Sequence, residues 1–528
     1  MHPDASSQLS IGSAVLEPRP HALVAHPSFP LQAVLALLAL HVLVWTWVGT
    51  VGRSNLDGPG DMVEAFVWGH AWQWGYFKHP PLMAWMAGAW FAVMPSTHGA
   101  YALLASLNTA IGLLGFALLC HEFMTRRWVA VSLAAALLMP GVTTVAMRFN
   151  ANAVLVATWP WVSLFFVRYM QRGQRRDALA CALACALAML GKYFSVVLLA
   201  SLVLSAWVHV PWRQRLLTRR TLYAALFFLL LLTPHLSWLV THEFGPLAYA
   251  HAATQDVPGN AAARGASFVW GHLLFALLGW LLIGLSVAPA QRQHVVAAFR
   301  SLLRPARTPA WTLALLPLLL TAAGTAVTGA RTSVVWGLPM TMGLLMFVTH
   351  ELSRRGVVAS LRRPRRFLAG MWLAVVALAP MWWTLSARQG ADSATDPRAE
   401  LALAIEARWL EEFGRPLAWV TGSPAYAASV SFYGDARARY WSATSTHQRT
   451  PWIDGAEVLA LGSAVVCEWR DQACRSFGEA VSRRLLPLTV AKHTRGLAMP
   501  SRTFAVYWLA PHGTDSGARQ AAVDPDFR

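Results

Sequence analysis

The chain has 528 residues, 56% of them hydrophobic and only 13% charged, with a mean hydropathy of +0.43. Soluble domains carry about 25% charged residues, so this composition excludes an ordinary soluble globule and sets most of the chain against lipid or other helices. The formal net charge of +18 reads as Arg-rich cytoplasmic loops of a membrane protein, and no nucleic-acid partner is expected.

In chain order, residues 1–29 are polar and rich in Pro and His. They read as a cytoplasmic tail with no cleavable signal peptide, so that the first apolar run acts as an uncleaved anchor. A span needs ~20 apolar residues for a ~30 Å hydrocarbon core. The segments that qualify are 31–51, 99–120, 129–147, 151–168, 177–190, 193–210, 221–241, 267–289, 310–328, 333–350 and 368–386. That predicts about eleven spans, give or take two. Segment 82–94 is apolar but short, and reads as interfacial or re-entrant. The pair 177–190 and 193–210 is too long for one span and short for two. A shallow hairpin with Gly191 and Lys192 at its tip is expected.

The loops then fix an orientation. Clusters at 126–127, 168–176, 213–220, 292–307 and 354–366 hold 20 Lys/Arg, whereas the opposite loops hold six: Arg53, Lys78, Arg148, Lys192, Arg264 and Arg331. With eleven spans every Arg-rich loop falls on one side, which the positive-inside rule makes cytoplasmic. Residues 387–528 are then outside. Only Lys78, Lys192 and Lys492 among the 43 basic residues are lysines. In such an Arg-preferring background a lysine marks a place where an ammonium is wanted.

The last part changes character. Residues 401–413 predict an amphipathic helix, 417–421, 437–441, 458–466, 486–491 and 504–509 predict strands, and a helix is expected near 472–485. Residues 387–510 thus read as a small outer α/β domain, and 511–528 as a disordered tail. Cys467 and Cys474 sit in this polar region. Outside the cytoplasm they could form a disulfide; two free thiols are the alternative. Cys120, Cys181 and Cys185 lie in apolar helices and read as small packing residues. The expected fold class is a mainly α polytopic membrane protein: a membrane domain over 30–386, interfacial helices in its first outer loop at 52–98, and the small C-terminal domain.

That first loop carries the chemistry. Gly58-Pro59-Gly60 predicts a turn. Asp61 can cap or begin a helix, and Glu64, three residues on, shares its face. Phe66, Val67, Trp68, Trp72 and Trp74 continue an interfacial helix to the break at His79-Pro80-Pro81, where a second apolar helix follows. Two carboxylates thus lie near Lys78 and His79. They could activate a hydroxyl or hold a divalent metal, and the lysine could neutralise a lipid phosphate. The plainer alternative is a helix cap beside a snorkelling lysine.

The run Asp61–Leu82 resembles the first periplasmic loop of bacterial GT-C glycosyltransferases, the polyprenyl-phosphate-sugar-dependent enzymes that include lipid A aminoarabinose transferases and relatives of protein O-mannosyltransferases. The shared pattern is an acidic pair, an aromatic helix, Trp74-Gly75-Tyr76-Phe77 and Lys78-His79-Pro80-Pro81-Leu82. Counting back from the prolines puts the family's catalytic aspartate on Asp61, with Asp57 as the nearby rival. The family's Asp-Glu doublet is Asp61-Met62 here, and Glu64 is the next acid. Leu190-Gly191-Lys192-Tyr193 is similar to the family's Ser/Gly-Lys-Tyr turn. Arg148-Phe149-Asn150-Ala151-Asn152 stands where many relatives carry an Asp. Pro234-His235-Leu236-Ser237-Trp238 through His242-Glu243-Phe244 resembles its Pro-x-x-x-Trp…His-x-Phe segment.

The resemblance implies an inverting transferase in the bacterial inner membrane with its active site facing the periplasm. It would move a sugar from a polyprenyl-phosphate donor to a hydroxyl or phosphate of a glycolipid, polysaccharide or protein. Asp61 with Glu64 would be catalytic. Lys78, Lys192, Arg148 and Arg331 would bind the donor phosphate. His79, Trp72, Tyr76, Asn150, Asn152 and His242 would line the substrate pocket, with His251 a further polar contact. No cofactor is required; a divalent metal shared by Asp61 and Glu64 stays open. The competing reading is a transporter or lipid flippase, against which stands the lack of paired halves with matching broken helices.

Overall fold

The computed structural model describes residues 29–57, 60–255, 259–305, 308–442, 450–482 and 484–512. The N-terminal tail to residue 28, Gly58 and Pro59 of the expected turn, and the tail from residue 513 lie outside the described residues.

The chain runs α1 (Leu31–Val51), α2 (Asp61–Gly69), α3 (Leu82–Phe91), α4 (His98–His121), α5 (Arg126–Ala136), α6 (Ala151–Arg172), α7 (Arg175–Gly191), α8 (Ser195–Val208), α9 (Val210–Leu216) and α10 (Arg219–Thr241). It continues through α11 (Gly245–Thr254), α12 (Ala261–Leu285), α13 (Arg292–Leu302), α14 (Pro309–Thr328), α15 (Met340–Arg354) and α16 (Arg362–Arg388). Each of the eleven apolar segments contains a helix. Among the described residues α1, α4, α6, α10, α12, α14 and α16 are long and apolar enough to cross a bilayer. The pair α8–α9, bent by 117°, makes an eighth if it counts as one span. The remaining segments give shorter helices. The helix begun at Arg126 stops at Ala136, just before Pro140-Gly141, and α15 starts only after Pro339, because proline cannot donate the helical hydrogen bond. The expected hairpin breaks at Lys192, whose backbone is extended. Its two arms diverge: α7 packs on α6 and α10, and α8 on α14.

The Arg-rich turns gather at one end of the bundle. Arg168 and Arg172 both pair with Glu122, Arg220 donates to Gly173 O, His350 meets Phe123 O, and Trp128 donates to Val357 O. At the other end Asn150 meets Asp61, Tyr193 meets His235, and Arg331 N–H donates to Thr254 O. The sidedness expected from charge is thus present in the packing.

The outer loop departs from expectation in one respect. Its aromatic helix ends at Gly69 rather than running to His79. The chain turns instead through Trp72, at φ +48°, and Tyr76 N–H closes on His79 O at 3.0 Å. A close helix crossing accompanies the stop: a Cβ on Gly69 would fall 2.6 Å from Gly88 N, so α2 and α3 meet at glycines.

The C-terminal part comprises α17 (Asp392–Thr395), α18 (Arg398–Phe413), β1 (Trp419–Gly422), α19 (Pro424–Tyr433), β2 (Arg439–Tyr440), α20 (Gly455–Leu461), β3 (Ser463–Glu468), α21 (Gln472–Val481), β4 (Leu485–Val490), β5 (His493–Thr494), β6 (Leu497–Ala498) and β7 (Arg502–Leu509). Five strands form one sheet in the order β2-β1-β3-β7-β4. β1 is parallel to β2 and β3, and β7 is antiparallel to β3 and β4. Inner strands β3 and β7 are buried on both faces, between α18–α19 and α21, so they read as continuous apolar runs. The strand expected over 458–466 starts only at Ser463. Residues 455–461 are helical, capped by Asp454 accepting from Ala456 N–H and ended by Gly462 at φ +78°. Helix α19 was not foreseen, although Ser423-Pro424 is an N-terminal helix signal. Cys467 and Cys474 are disulfide-bonded. α19 docks on the first outer loop: Phe432 packs edge-on against Phe66 and Phe91.

Candidate active site

The site starts at the first turn of α2. Gly60 adopts a left-handed φ of +88°, which only glycine takes without strain. Asp57 reaches across this turn and caps the helix, accepting from Asp61 N–H at 3.2 Å and Met62 N–H at 2.9 Å. Asp57 is buried, is paired with Arg148 at 3.3 Å, and offers its backbone carbonyl to Arg398. Burial raises its carboxyl above the usual range, and the Met62 N–H and the two nearby arginines, Arg148 and Arg53, pull it back. The rival acid therefore has every group committed to holding α2. Asp61, one turn on, is left on the partly exposed face, where it accepts from Asn150 Nδ2 at 3.2 Å. Asn150 is itself fixed, because its Oδ1 caps α6 through Asn152 N–H and Ala153 N–H.

Two lysines flank this carboxylate. Lys192 lies between α7 and α8 and donates to Asn152 Oδ1, with its ammonium 5.0 Å from the Trp336 ring centroid. Burial lowers its pKa to about 8, against the attraction of Asp61. Lys78 pairs with Glu64 at 2.6 Å. Burial works against its charge, but Glu64, and more weakly Tyr249 and Asp61, outweigh it and hold it above the ordinary lysine value. Glu64, expected as a second catalytic carboxylate, is thus turned to Lys78 and serves that cation. His79 next door is held down to about 3 by burial, and the two lysines push the same way. It is a neutral imidazole at neutral pH, able to hydrogen-bond but not to act as a cation.

A second layer brings distant motifs together. The Trp74 carbonyl can only accept, so His235 Nδ1, 2.6 Å away, carries the proton, and Nε2 accepts from Tyr193 Oη at 3.0 Å. The Trp238 ring lies on Gly75, where a Cβ would fall 2.3 Å from it. His242 stacks on that indole at 4.0 Å and donates Nδ1–H to Trp238 O. Three segments singled out separately in the sequence thus interlock: Trp74-Gly75, Lys192-Tyr193 and His235–His242. His235, Tyr193 and Trp336 were not among the expected site residues. The first two sit inside quoted motifs, while Trp336 carries no local signal.

Other expectations shift. Tyr76 is fully buried, stacked on Trp68 at 4.9 Å and donating to its carbonyl at 2.8 Å. It therefore shapes the loop and does not line a pocket. Trp72 is exposed, Arg331 is exposed and tied by its backbone to α11, and His251 contacts Gln255. None of these three makes a contact with Asp61 or either lysine among the described residues. Arg148 meets the site through its ion pair with Asp57. The two carboxylates face different partners, Asp61 an amide and Glu64 an ammonium. No group of three or more metal-ligating side chains occurs among the described residues. That donor set does not fit a shared ion.

Comparisons with known proteins bear on the fold. The family described as dolichyl-phosphate-mannose-protein mannosyltransferase matches residues 78–238, a stretch running from Lys78 to Trp238. Among solved structures, ArnT from Cupriavidus metallidurans bound to undecaprenyl phosphate is similar at a TM-score of 0.59 and 14% identity, covering 92% of this chain and 100% of that one. The same protein in its apo state is similar at a TM-score of 0.57 and 15% identity, covering 91% and 98%. No curated protein matches the chain in sequence. The chain is a multi-pass membrane protein with the fold of a GT-C glycosyltransferase.

Proposed function

We propose that this GT-C-fold membrane protein is an inverting glycosyltransferase that takes a sugar from a polyprenyl phosphate and passes it to a hydroxyl of a glycolipid, polysaccharide or protein. The observation that carries the reading is one partly exposed carboxylate, Asp61, in electrostatic reach of two lysines on separate loops. The ArnT relative holds undecaprenyl phosphate, the class of carrier proposed here as the donor's lipid.

In this reading the acceptor oxygen attacks the anomeric carbon from the face opposite the phosphate. Asp61 takes the hydroxyl proton. The bond from the anomeric carbon to the phosphate oxygen breaks, and its electron pair stays on the polyprenyl phosphate. Lys192 and Lys78 stabilise that developing charge, and the proton on Asp61 is lost to water after the product leaves. Neutral His79 and Asn152 orient groups around the phosphate. The Arg-rich turns at the opposite end of the bundle, and a disulfide in the C-terminal part, support an orientation with the site in the periplasm.

The test is transfer in proteoliposomes from a labelled polyprenyl-phosphate sugar to extracted envelope glycolipids and proteins. Asp61→Asn is expected to lower turnover about 10²- to 10⁴-fold with insertion and melting behaviour intact. Wild-type turnover in that variant would remove Asp61 as the base. Movement of label across the bilayer without transfer would favour the flippase reading.

A further inference from the structure

A cavity of about 290 Å³ lies between the C-terminal half of α2 and the β1–β2 edge of the outer sheet. It is lined by Phe66 to Trp68, His70 and Gln73 on one side and by Trp419, Ser431, Arg439, Trp452 and Glu457 on the other, and it includes neither Asp61 nor any lysine. At 1.5 Å per residue, His70 stands about 13 Å along α2 from Asp61. Trp68 and Trp452 of the lining both pack on Tyr76, which is buried behind the wall, the first stacked and the second edge-on.

The polar side chains that the wall itself exposes are His70, Gln73, Arg437, Arg439, Asp454 and Glu457. Ser431 Oγ and Trp419 Nε1 lack a hydrogen-bond partner among the described residues, but both atoms are closed off behind the wall and neither is offered to a ligand.

The remaining chemistry narrows the class. Arg439 is paired with Glu457, and its guanidinium lies 4.0 Å from the Trp419 ring centroid. Asp454 and Arg437 add one charge of each sign, and burial, reinforced by Arg437, keeps the His70 imidazole below its ordinary pKa although its contact with Phe66 O pulls the other way. With charges of both signs balanced, the lining favours neither phosphate nor ammonium. It offers donors and acceptors side by side with indole and phenol rings, which suits hydroxyls that both donate and accept on a body with an apolar C–H face. The volume sits at the small end of ligand pockets, about 300 Å³ upward, which suits a single sugar ring and not a lipid chain.

We propose that this cavity is a saccharide subsite that holds one neutral sugar ring of the acceptor, remote from the hydroxyl being modified. Only the word acceptor rests on the glycosyltransferase reading; the saccharide specificity stands on the cavity alone. The test is saturation-transfer-difference NMR on the full-length protein in nanodiscs, with glucose, galactose, mannose and N-acetylglucosamine as probes. At least one probe is expected to show ring-proton transfer in wild type and in Asp61→Asn. The signal should fall at least tenfold in Ser431→Leu, which fills the cavity, and in Trp452→Ala, which removes a stacking face, each read only if its melting transition is retained. No transfer to any probe in wild type, or transfer undiminished in the folded cavity variants, overturns the proposal. Sugar binding that obeys these variants in a protein that transfers no sugar would overturn the enzymatic reading and leave this one standing.

Discussion

Two aspartates four residues apart have different surroundings, and their partners make the difference. Asp57 accepts two backbone N–H bonds and is buried beneath Arg148, whereas Asp61 accepts from the Asn150 amide and is partly exposed. The same logic separates the lysines. Lys78 is held charged by Glu64, while Lys192 sits on neutral partners, an amide oxygen and an indole face, so burial brings it down to about 8. A lysine with a lowered pKa carries its charge below that value and loses it above. Affinity for polyprenyl phosphate is therefore expected to fall as pH rises through about 8 in wild type, and this step should vanish in Lys192→Met. A Kd series across that range in detergent micelles checks it. An equal fall in the variant would assign the step to another group.

At the scale of elements, α2 is nine residues long, too short to persist alone in water. What holds it is the Asp57 cap, the crossing with α3 at Gly69 and Gly88, and Phe432 of α19 on its apolar side. Losing a side-chain cap costs about 0.5–2 kcal/mol, and Asp57→Ala also leaves Arg148 without its carboxylate partner. The expected outcome is a modest drop in Tm together with a fall in kcat approaching that of Asp61→Asn, since the helix start that aims Asp61 would fray. Asp57→Asn, which keeps an acceptor for one N–H, should recover part of both. A kcat loss with no rescue by Asn would instead make Asp57 itself the reacting carboxylate.

At the scale of the whole molecule, the C-terminal part is bolted to the loop that carries the site. Lys492 is buried and donates to Ser54 O, Asn55 Oδ1 and Asp396 O, while Arg398 pairs with Asp396 and donates to Asp57 O. Tyr433 Oη donates to His98 Nε2 or accepts from it at 2.8 Å and accepts from Leu56 N–H at 2.9 Å. The third lysine of the chain is thus a structural clamp. Lys492→Met would take the ammonium from Asn55 Oδ1 and from the part-buried Ser54 O, at about 1–3 kcal/mol for a stranded buried acceptor, whereas Asp396 O keeps its bond from Asn55 Nδ2. It should raise the rate of limited proteolysis near residues 389–398 and lower kcat without changing donor Kd, because the Asp57–Asp61 segment loses its anchor while the lysines keep theirs. Unchanged proteolysis and kcat would show the clamp to be dispensable.

The membrane helices, the sidedness and the acid-and-lysine motifs were legible in the sequence because they rest on local quantities: apolar run length, Arg clustering and residue types at fixed spacing. The resemblance carried by Asp61–Leu82 and Gly191–Tyr193 is borne out by the fold. What the sequence left open depended on partners far away in the chain. Glu64 and Asp61 share a helical face, yet only the packing turns one to Lys78 and the other to Asn150. Tyr76 reads as a substrate contact in a Trp-Gly-Tyr-Phe turn, but Trp68 and Trp452 enclose it. Whether Cys467 meets Cys474 depended on a strand and a helix that bring the two sulfurs together. One-dimensional pattern determined that this chain crosses a membrane and where its charged chemistry resides. Tertiary structure alone decided which donor each carboxylate meets and how much solvent reaches it, because those partners come from segments far away in the chain.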